Sequence, residues 1–485
     1  MITQRKKLIL LPDSFNMEQH TAQYPPEQYG FRSRLKFNKE KAYYFLSLIS
    51  SIAARSPDIV TEDGYTPINQ RTVRDDGKKK GTKCIKDIKA YIDYLKQSGV
   101  ILCNDSYIAG TKSFGYKYAP RYSLRRYSVR LVESQYTDDF ISNFTGQYNT
   151  YPYLFQWYQS NLLMIDDTAA NDYAFQLYVE KMNDPTKASW DRNNKGEPKE
   201  PEVQYRSALL NIAKIKYHLY GAHIDETVGR LHSAFTGLNK KYRQFVTYAG
   251  ERLVGIDITN SQPYIISLIL NKNFWADNST LPINIKNLSL TIQIPLCAPM
   301  ETLFSIRDFL NSIDENNLTE YKDLVSSGRF YETFIEKAGE LGRTVSREEV
   351  KTFMFYTIYS SNKYPKDLFL RRMRIAFNQM FPEVAKLFKL IKHEYELFKG
   401  AKEIEKQHNT LACLLQSIES MIMLHRCCKK IWKDRNHQVP IFTIHDSIYT
   451  TVEHQDYVKH VMEEELTRVI GIPPKLKPEV WSEES

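Results

Sequence analysis

Two aspartates beside apolar, strand-like stretches are the residues of this sequence best suited to bind a metal. Asp446 lies in the polar triplet His-Asp-Ser between two apolar runs, a pattern that favours a β-hairpin. Asp257 ends an apolar strand-like segment, and the apolar run at residues 265–270 predicts a buried helix that leaves it. Two converging carboxylates can hold a pair of Mg²⁺ ions for phosphoryl transfer. Taken alone, Asp257 fits better as a structural aspartate that caps the helix.

A helix that begins at Ser346 would place two cations and two aromatic rings on one face. Ser346 and Glu349 have the spacing of a capping box. The face consists of residues four apart: Arg347, Lys351, Phe355 and Tyr359. Such residues lie about 6 Å apart along the axis, so cations could neutralise phosphates while the rings pack against a sugar and a base. An ordinary amphipathic helix, with its rings in the core and its cations in water, has the same pattern.

Composition narrows the class of protein. The 485 residues are 42% hydrophobic, which is enough for several folded domains. No apolar run approaches the ~20 residues that span a bilayer, so we expect a cytoplasmic protein without a membrane partner. The six cysteines include no Cys-x-x-Cys pair, which argues against a zinc site. The net charge of +9 comes from basic clusters interleaved with aromatic residues, a pattern that suits nucleic acid.

The first part of the chain predicts an arm and a small nucleic-acid-binding domain. Residues 1–36 have no sustained periodicity. Within residues 37–128, helical patterns that begin at Asn38 and Ile85 precede two short strands, an order that resembles a winged helix-turn-helix. The basic residues that lead into its recognition helix are Lys79, Lys80 and Lys83. A small α+β domain whose lysines only keep the surface soluble fits this pattern too.

Three elements follow one another along the chain: the strand that ends at Asp257, the helix that begins at Ser346 and the hairpin that contains Asp446. In this order they resemble motifs A, B and C of the family A DNA polymerases and of the single-subunit RNA polymerases of bacteriophages and mitochondria. The helix at residues 347–359 has the spacing of the fingers helix in the DNA polymerases. The triplet at residues 445–447 is similar to motif C, which usually reads His-Asp-Glu in the DNA enzymes and His-Asp-Ser in the RNA enzymes. The resemblance extends over residues 225–485.

Shorter matches flank these motifs. Residues 227–230, Thr-Val-Gly-Arg, resemble the Thr-x-Gly-Arg segment before motif A, and residues 381–384 are similar to the aromatic-Pro-x-Val segment of the family. Gln416 and the serine after it resemble the Gln-Gly of the palm helix. The resemblance implies that Arg230 and Gln416 contact nucleic acid, and that His445 supports the turn or the primer end without binding metal.

The sequence departs from the family at the position that distinguishes sugars. Motif A of the DNA polymerases reads Asp-x-Ser-Gln-x-Glu, whereas the Ser-Gln pair lies two residues later here. Spacing from Asp257 assigns the sugar position to Gln262. The Ser-Gln match assigns it instead to Tyr264, whose bulk would disfavour ribonucleotides. The segment between motifs A and B is longer than in the DNA enzymes and in this respect resembles the RNA polymerases.

The resemblance implies an α+β multidomain protein with a right-hand polymerase core, in which an antiparallel palm sheet carries helical fingers and a thumb. An N-terminal winged helix-like domain would precede this core. The implied divisions are an arm at residues 1–36, the winged helix-like domain at 37–128, a helical thumb-like region at 129–250, and the palm and fingers at 251–485.

The activity that the resemblance implies is a DNA-templated DNA polymerase without a proofreading exonuclease, active in phage or mobile-element replication in a prokaryotic cell. Its partners would be a DNA primer–template and nucleoside triphosphates. Asp257 and Asp446 would be catalytic and hold two Mg²⁺ ions, with Mn²⁺ as a substitute. The triphosphate would bind the α-helical face at residues 347–359 together with Gln262 or Tyr264. Two alternatives stay open: an RNA polymerase or primase of the same superfamily, and a non-catalytic DNA-binding replication protein.

Overall fold

The protein mixes α-helices with antiparallel β-sheets, which confirms the α+β class. The computed structural model describes residues 6–32, 34–55, 59–61, 63–70, 73, 85–106, 108, 113–122, 126–133, 147–184, 200–297, 300–392 and 409–481. Three residues of the predicted DNA-binding run lie outside these ranges, so their role stays a prediction: Lys79, Lys80 and Lys83. None of the described helices combines the length and the apolar character needed to cross a membrane.

The elements are numbered in chain order. Strands β1 to β13 are Lys6–Pro12, Thr66–Pro67, Ile101–Cys103, Gly115–Tyr118, Tyr127–Glu133, Leu163–Ile165, His223–Ile224, Leu231–His232, Val246–Tyr248, Glu251–Ile258, Phe442–Ile444, Ser447–Thr451 and Leu476–Val480. Helices α1 to α18 are Met17–Gln23, Lys39–Arg55, Ile88–Gln97, Pro152–Gln159, Asp167–Asn183, Pro201–Lys216, Lys240–Arg243, Ser261–Ile269, Leu290–Cys297, Met300–Ser312, Thr319–Ser327, Phe330–Glu340, Arg347–Tyr359, Leu368–Met380, Pro382–Ile391, Asn409–Ser420, Lys429–Asp434 and Gln455–Ile470.

The chain divides into two compact units. The first combines Met1–Gly146, Asn161–Gly221 and Ser233–Gly250. The second combines Gln147–Ser160, Ala222–His232 and Glu251–Ser485. Two short segments of the predicted thumb-like region therefore belong with the C-terminal part of the chain, and the rest of that region belongs with the N-terminal part.

In the first unit, two amphipathic helices accompany a small antiparallel sheet with the strand order β2-β4-β3. Helix α2 buries an apolar face at helical spacing that includes Phe45, Leu46 and Ile49. Helix α3 likewise buries Ile92 and Leu95 and ends two residues before Gly99. These elements are the helices and strands predicted within residues 37–128. A separate antiparallel pair joins β1 to β5.

In the second unit, four strands lie side by side in the order β11-β12-β10-β13, and each neighbouring pair is antiparallel. Strands β11 and β12 form the predicted hairpin, in which Ile444 pairs with Ser447 and two residues make the turn. Helix α18 packs on β10, β12 and β13. The sheet therefore has a buried face, and it holds both predicted acids at one end of the β10–β12 pair.

Helix α8 follows β10 and forms the centre of the second unit. Each of its residues, from Ser261 to Ile269, is buried, which confirms the buried helix predicted from the apolar run. It packs against α11, α16 and α18. Helix α16 continues into a π-helical segment, Met421–Cys428, and π-helical turns are frequent near functional sites.

Candidate active site

Asp257 and Asp446 meet because β10 and β12 are neighbours in the sheet. Asp257 pairs in register with Ser447, and the Ser447 hydroxyl donates a hydrogen bond of 2.5 Å to Oδ1 of Asp257. Asp446 is the residue before Ser447, in the hairpin turn. The two carboxylates are close enough for the charge of Asp257 to act on Asp446.

The turn that carries Asp446 depends on an unusual backbone conformation. His445 has a φ of 53°, in the left-handed region where His, Asn and Asp are tolerated better than most residues. A positive φ at this position allows a two-residue turn to join antiparallel strands. His445 is exposed, while Asp446 is half-buried. The predicted role of His445 in supporting the turn agrees with this position, and its contact with a primer stays a prediction.

A glycine brings the two strands together next to the acids. Gly255 pairs with Tyr449 across β10 and β12. A Cβ atom at Gly255 would lie 2.3 Å from Cε1 of Tyr449, so the tyrosine ring occupies the space that a side chain would fill. The same ring contacts Trp481, with 4.5 Å between the ring centroids. This packing holds the register that places Asp257 beside the hairpin turn.

The electrostatics of the acids favour a cation. Burial raises the pKa of Asp446 well above its usual range, the charges of Asp257 and Glu419 raise it further, and Lys351 acts in the opposite direction. Carboxylate oxygens are the ligands that Mg²⁺ prefers, so Asp257 and Asp446 fit such an ion chemically. In the described part of the chain, no group of three or more His, Cys, Asp or Glu side chains could hold a metal ion. Phosphate or water oxygens would therefore have to complete the coordination.

Helix α13 keeps the predicted face outside the core: Arg347 and Phe355 are exposed, and Lys351 and Tyr359 are partly exposed. Its capping box is confirmed: Ser346 Oγ accepts from the Glu349 N–H, and Glu349 accepts from the Ser346 N–H at 2.8 Å. The core face of the helix consists of other residues: Val350, Phe353, Met354, Thr357 and Ile358. Phe355 is 36% exposed, and its ring stacks on that of Tyr359 with 5.6 Å between centroids. The alternative in which both rings fill the core is therefore wrong.

The two cations of α13 have different surroundings. Lys351 acts electrostatically on Asp446 and lies 5.9 Å from the centroid of the Phe355 ring. Arg347 donates from Nε to Glu332 at 2.9 Å and lies over the Tyr331 ring. Both arginine and glutamate are 45% exposed. Lys351 is thus the cation of this helix within electrostatic reach of Asp446, and Arg347 is held one turn away by a surface ion pair.

Tyr331 is a residue of the site that the sequence did not reveal. Burial raises its pKa, Arg347 lowers it, and the charges of Asp446 and Tyr359 raise it. The Tyr331 ring therefore lies under Arg347 and within electrostatic reach of Asp446. It belongs to α12, whose apolar pattern gives no sign that its one tyrosine approaches Asp446.

A second residue that sequence analysis missed is Glu419, near the end of α16. Its side chain is only 2% exposed and pairs with the guanidinium of Arg230. Its other oxygen, Oε2, accepts from Gln262 Nε2 at 2.5 Å and from Ser261 Oγ at 3.3 Å. The sequence offered one indication of this role. Glu419 is a charged residue of a helix, and the residues before it, from Leu411 to Ile418, are mostly apolar.

Arg230 is presented by a tight turn between β7 and β8. The carboxylate of Asp225 accepts backbone hydrogen bonds from residues 227, 228 and 230. Burial opposes the ionised form, but these three N–H donors hold the pKa of Asp225 below its usual range. Gly229 has a φ of 73°, a conformation that favours glycine. The turn therefore has its own internal support and delivers the arginine to Glu419.

The structure separates the two alternatives for the sugar position. Arg230, Ser261 and Gln262 are all bonded to Glu419, and these four residues are called the cluster below. Gln262 belongs to it through its bond to Glu419. Tyr264 is fully buried, and its hydroxyl donates to the carbonyl of Ile472 at 2.7 Å. Tyr264 is therefore not brought together with the other predicted residues. Gln416 is close enough to Tyr359 to lower the pKa of the tyrosine hydroxyl, against the larger effect of burial, which raises it.

Comparison with known proteins identifies no family. No protein-family model matches the sequence, and no curated protein matches it. Among solved structures, the chain is similar to the polymerase domain of Pol1 from M. smegmatis in complex with DNA primer-template and dNTP. The identity is 10% and the TM-score 0.37, and the match covers 71% of this chain and 72% of that one. A TM-score this low does not establish a shared fold, so the function has to be inferred from the site.

Proposed function

We propose that this protein is a DNA-templated DNA polymerase that adds nucleotides from nucleoside triphosphates to a primer. One observation supports this most strongly: Asp257 on its strand and Asp446 in the adjoining hairpin turn are close together, and Asp446 lies within the electrostatic reach of Lys351, on a helix face that also carries two stacked rings. Carboxylates bind the metal ions that hold phosphates. A cation pairs with free phosphate oxygens, and aromatic rings pack against a nucleoside.

Asp257 and Asp446 would hold the divalent ions. Such ions, when bound, favour loss of the proton from the attacking hydroxyl and neutralise the leaving pyrophosphate. The protein's own contribution is orientation: Ser447 holds one oxygen of Asp257, and the hairpin turn holds Asp446 beside it. The charge of Asp257 raises the pKa of Asp446, and the charge of Lys351 lowers it. Positive charge near the two acids therefore favours their ionised form.

The triphosphate would lie along α13. Lys351 would pair with phosphate oxygens, a role that its electrostatic effect on Asp446 supports. The parallel rings of Phe355 and Tyr359, inclined by only 7°, provide an apolar surface for the sugar and base. Arg347 pairs with Glu332, so it would have to break this ion pair or share it in order to bind a phosphate. It would therefore contact the end of the triphosphate that is farther from the two acids.

The primer–template would contact the side of the cluster opposite the triphosphate. Arg230 and Gln416 both lie outside the sheet: Arg230 pairs with Glu419, and Gln416 is close enough to Tyr359 to affect the pKa of its hydroxyl. Arginine donors suit the phosphates and base edges of a duplex. His445, exposed at the hairpin turn, is in position to meet the primer end.

Mg²⁺-dependent primer extension tests the proposal. Compared with wild type, Asp257→Ala and Asp446→Ala should each slow extension by ~10³-fold or more, because each removes a metal ligand. Asp277→Ala is the control, since this exposed aspartate pairs with Arg307 on the surface. Undiminished extension in both metal-ligand variants would overturn the assignment.

RNA synthesis is the second candidate. It is favoured by the finding that Gln262, and not the bulkier Tyr264, lies in the cluster. The same assay with ribonucleotides alone, with and without a primer, separates an RNA polymerase or primase from a DNA polymerase. DNA binding without incorporation of any nucleotide would instead indicate a non-catalytic replication protein.

A further inference from the structure

Glu419 is a buried carboxylate that joins two separate parts of the candidate active site. Its Oε1 pairs with Arg230, which the β7–β8 turn delivers. Its Oε2 accepts from Gln262 and Ser261, in the first turn of α8. Arg230 and Gln262 do not share a segment of chain, so Glu419 is the group that links them.

The bonding of Glu419 is that of a positioning residue. A buried carboxylate is stable only when it is paired and hydrogen-bonded, and each oxygen here has such a partner. The side chain is 2% exposed, so solvent has little access to it. Although its charge acts on Asp446, its oxygens are engaged by donors from Arg230, Gln262 and Ser261. It therefore fits poorly as a further metal ligand.

The bond to Glu419 also decides which atom of Gln262 remains to bind a ligand. Because Nε2 donates to the carboxylate, the amide is fixed in one orientation. Gln262 is 6% exposed, and its Oε1 has no hydrogen-bond partner among the described residues. A buried acceptor without a donor is costly, and a hydroxyl group of a ligand would satisfy it.

We propose that Glu419 sets sugar selectivity by orienting Gln262, so that Oε1 accepts a hydrogen bond from a hydroxyl of the incoming nucleotide's sugar. The same carboxylate holds Arg230 in place against the primer–template, which couples nucleic-acid binding to sugar recognition. The inference rests on the proposed polymerase function and names the group of the substrate that the cluster recognises.

Three nucleotides of graded hydroxyl content test the proposal: deoxy-, 2′,3′-dideoxy- and ribonucleoside triphosphates, each measured as kcat/KM on one primer–template. Wild type should prefer the deoxynucleotide to the dideoxynucleotide. Glu419→Gln keeps the size of the side chain but removes the charge and one acceptor. It should reduce that preference by about tenfold, the effect of one misplaced hydrogen bond, and weaken binding of the primer–template without nucleotide.

A matched control separates positioning from a general loss of structure. Glu465 is also a buried glutamate, 2% exposed, and it pairs with Arg426 and Arg468 rather than with the cluster. Glu465→Gln should therefore leave the ratio of deoxy to dideoxy incorporation unchanged. If it shifts that ratio as much as Glu419→Gln does, the proposal is wrong.

Gln262→Leu provides an independent arm that keeps the Glu419 carboxylate and its pair with Arg230, although Oε2 then loses the Gln262 donor and keeps only Ser261. It removes the acceptor and should reduce the same preference by about tenfold, and the double variant Glu419→Gln, Gln262→Leu should show no larger change than Gln262→Leu alone. Additive changes, or an unaltered ratio in an active Gln262→Leu protein, would overturn the inference. A wild-type protein that incorporates no nucleotide would instead overturn the proposed function itself.

Discussion

Ser447 and Asp257 are register partners across β12 and β10, and the serine hydroxyl donates directly to the aspartate Oδ1. This pair explains how two acids far apart in the sequence come to share one site. The residue before Ser447 is Asp446, so the strand pairing that aligns Ser447 with Asp257 also carries Asp446 to its side. The serine of the His-Asp-Ser triplet thus has a defined structural role.

Ser447→Ala should slow primer extension by roughly tenfold and lower the free energy of unfolding by about 1 kcal/mol, because the Asp257 carboxylate loses the donor that orients it. Ser267→Ala is the control. Ser267 is a buried serine of α8 whose hydroxyl has no hydrogen-bond partner in the described part of the chain. Extension rates and urea unfolding of the two variants should differ clearly, and equal rates would count against an orienting role.

Gly255→Ala should destabilise the second unit by about 1–3 kcal/mol, because the new methyl group would overlap the Tyr449 ring. Gly339→Ala, in the exposed part of α12, is its counterpart, since nothing lies within 4 Å of the added Cβ. That change should be neutral or stabilise by up to about 1 kcal/mol. Urea unfolding of both variants measures the difference, and a stable, fully active Gly255→Ala protein would contradict the packing described here.

Lys351→Met should raise KM for the nucleoside triphosphate by about tenfold or more, because it removes the cation within electrostatic reach of Asp446 while it keeps the length of the side chain. Lys337→Met is a suitable control. Lys337 is a partly exposed lysine of α12 that pairs with Glu340. If both substitutions change KM equally, Lys351 has no special role in binding phosphate.

His20 makes the first unit sensitive to acid. Burial and, to a smaller extent, the charge of Arg121 lower its pKa to about 4, and its Nε2 is hydrogen-bonded to Ser98 Oγ at 2.9 Å. The rings around it are Phe15, Tyr24 and Tyr94. Between pH 6.5 and 4 the unfolded chain therefore binds a proton that the folded chain does not.

The sign of the effect follows from that difference in protonation. The stability contributed by neutral His20 is present above pH 6.5 and is lost as the pH falls to about 4, by an upper limit of about 3 kcal/mol. His20→Gln can still bond to Ser98 but does not titrate. In urea unfolding at pH 7 and pH 4, the variant should lose less stability than wild type, and parallel losses would contradict the prediction.

Local features of the site were predictable because their determinants are close in sequence. The capping box of α13 needs only Ser346 and Glu349, and its cation and aromatic face needs only a four-residue spacing. The β11–β12 hairpin needs only two apolar runs and a two-residue turn. The exposed position of Phe355 was not predictable, because the same spacing fits a buried ring and only packing shows that other residues fill the core.

The sequence by itself determined which residues carry charge and rings and which short segments form strands and helices. Only the tertiary structure decided that Asp257 lies beside Asp446, that Gln262 rather than Tyr264 is bonded to Glu419, and that Glu419 ties Gln262 to Arg230. The reason is physical. These contacts depend on the register of β10 with β12 and on the packing of α8 against α16, and each of those sums many weak interactions between segments more than a hundred residues apart.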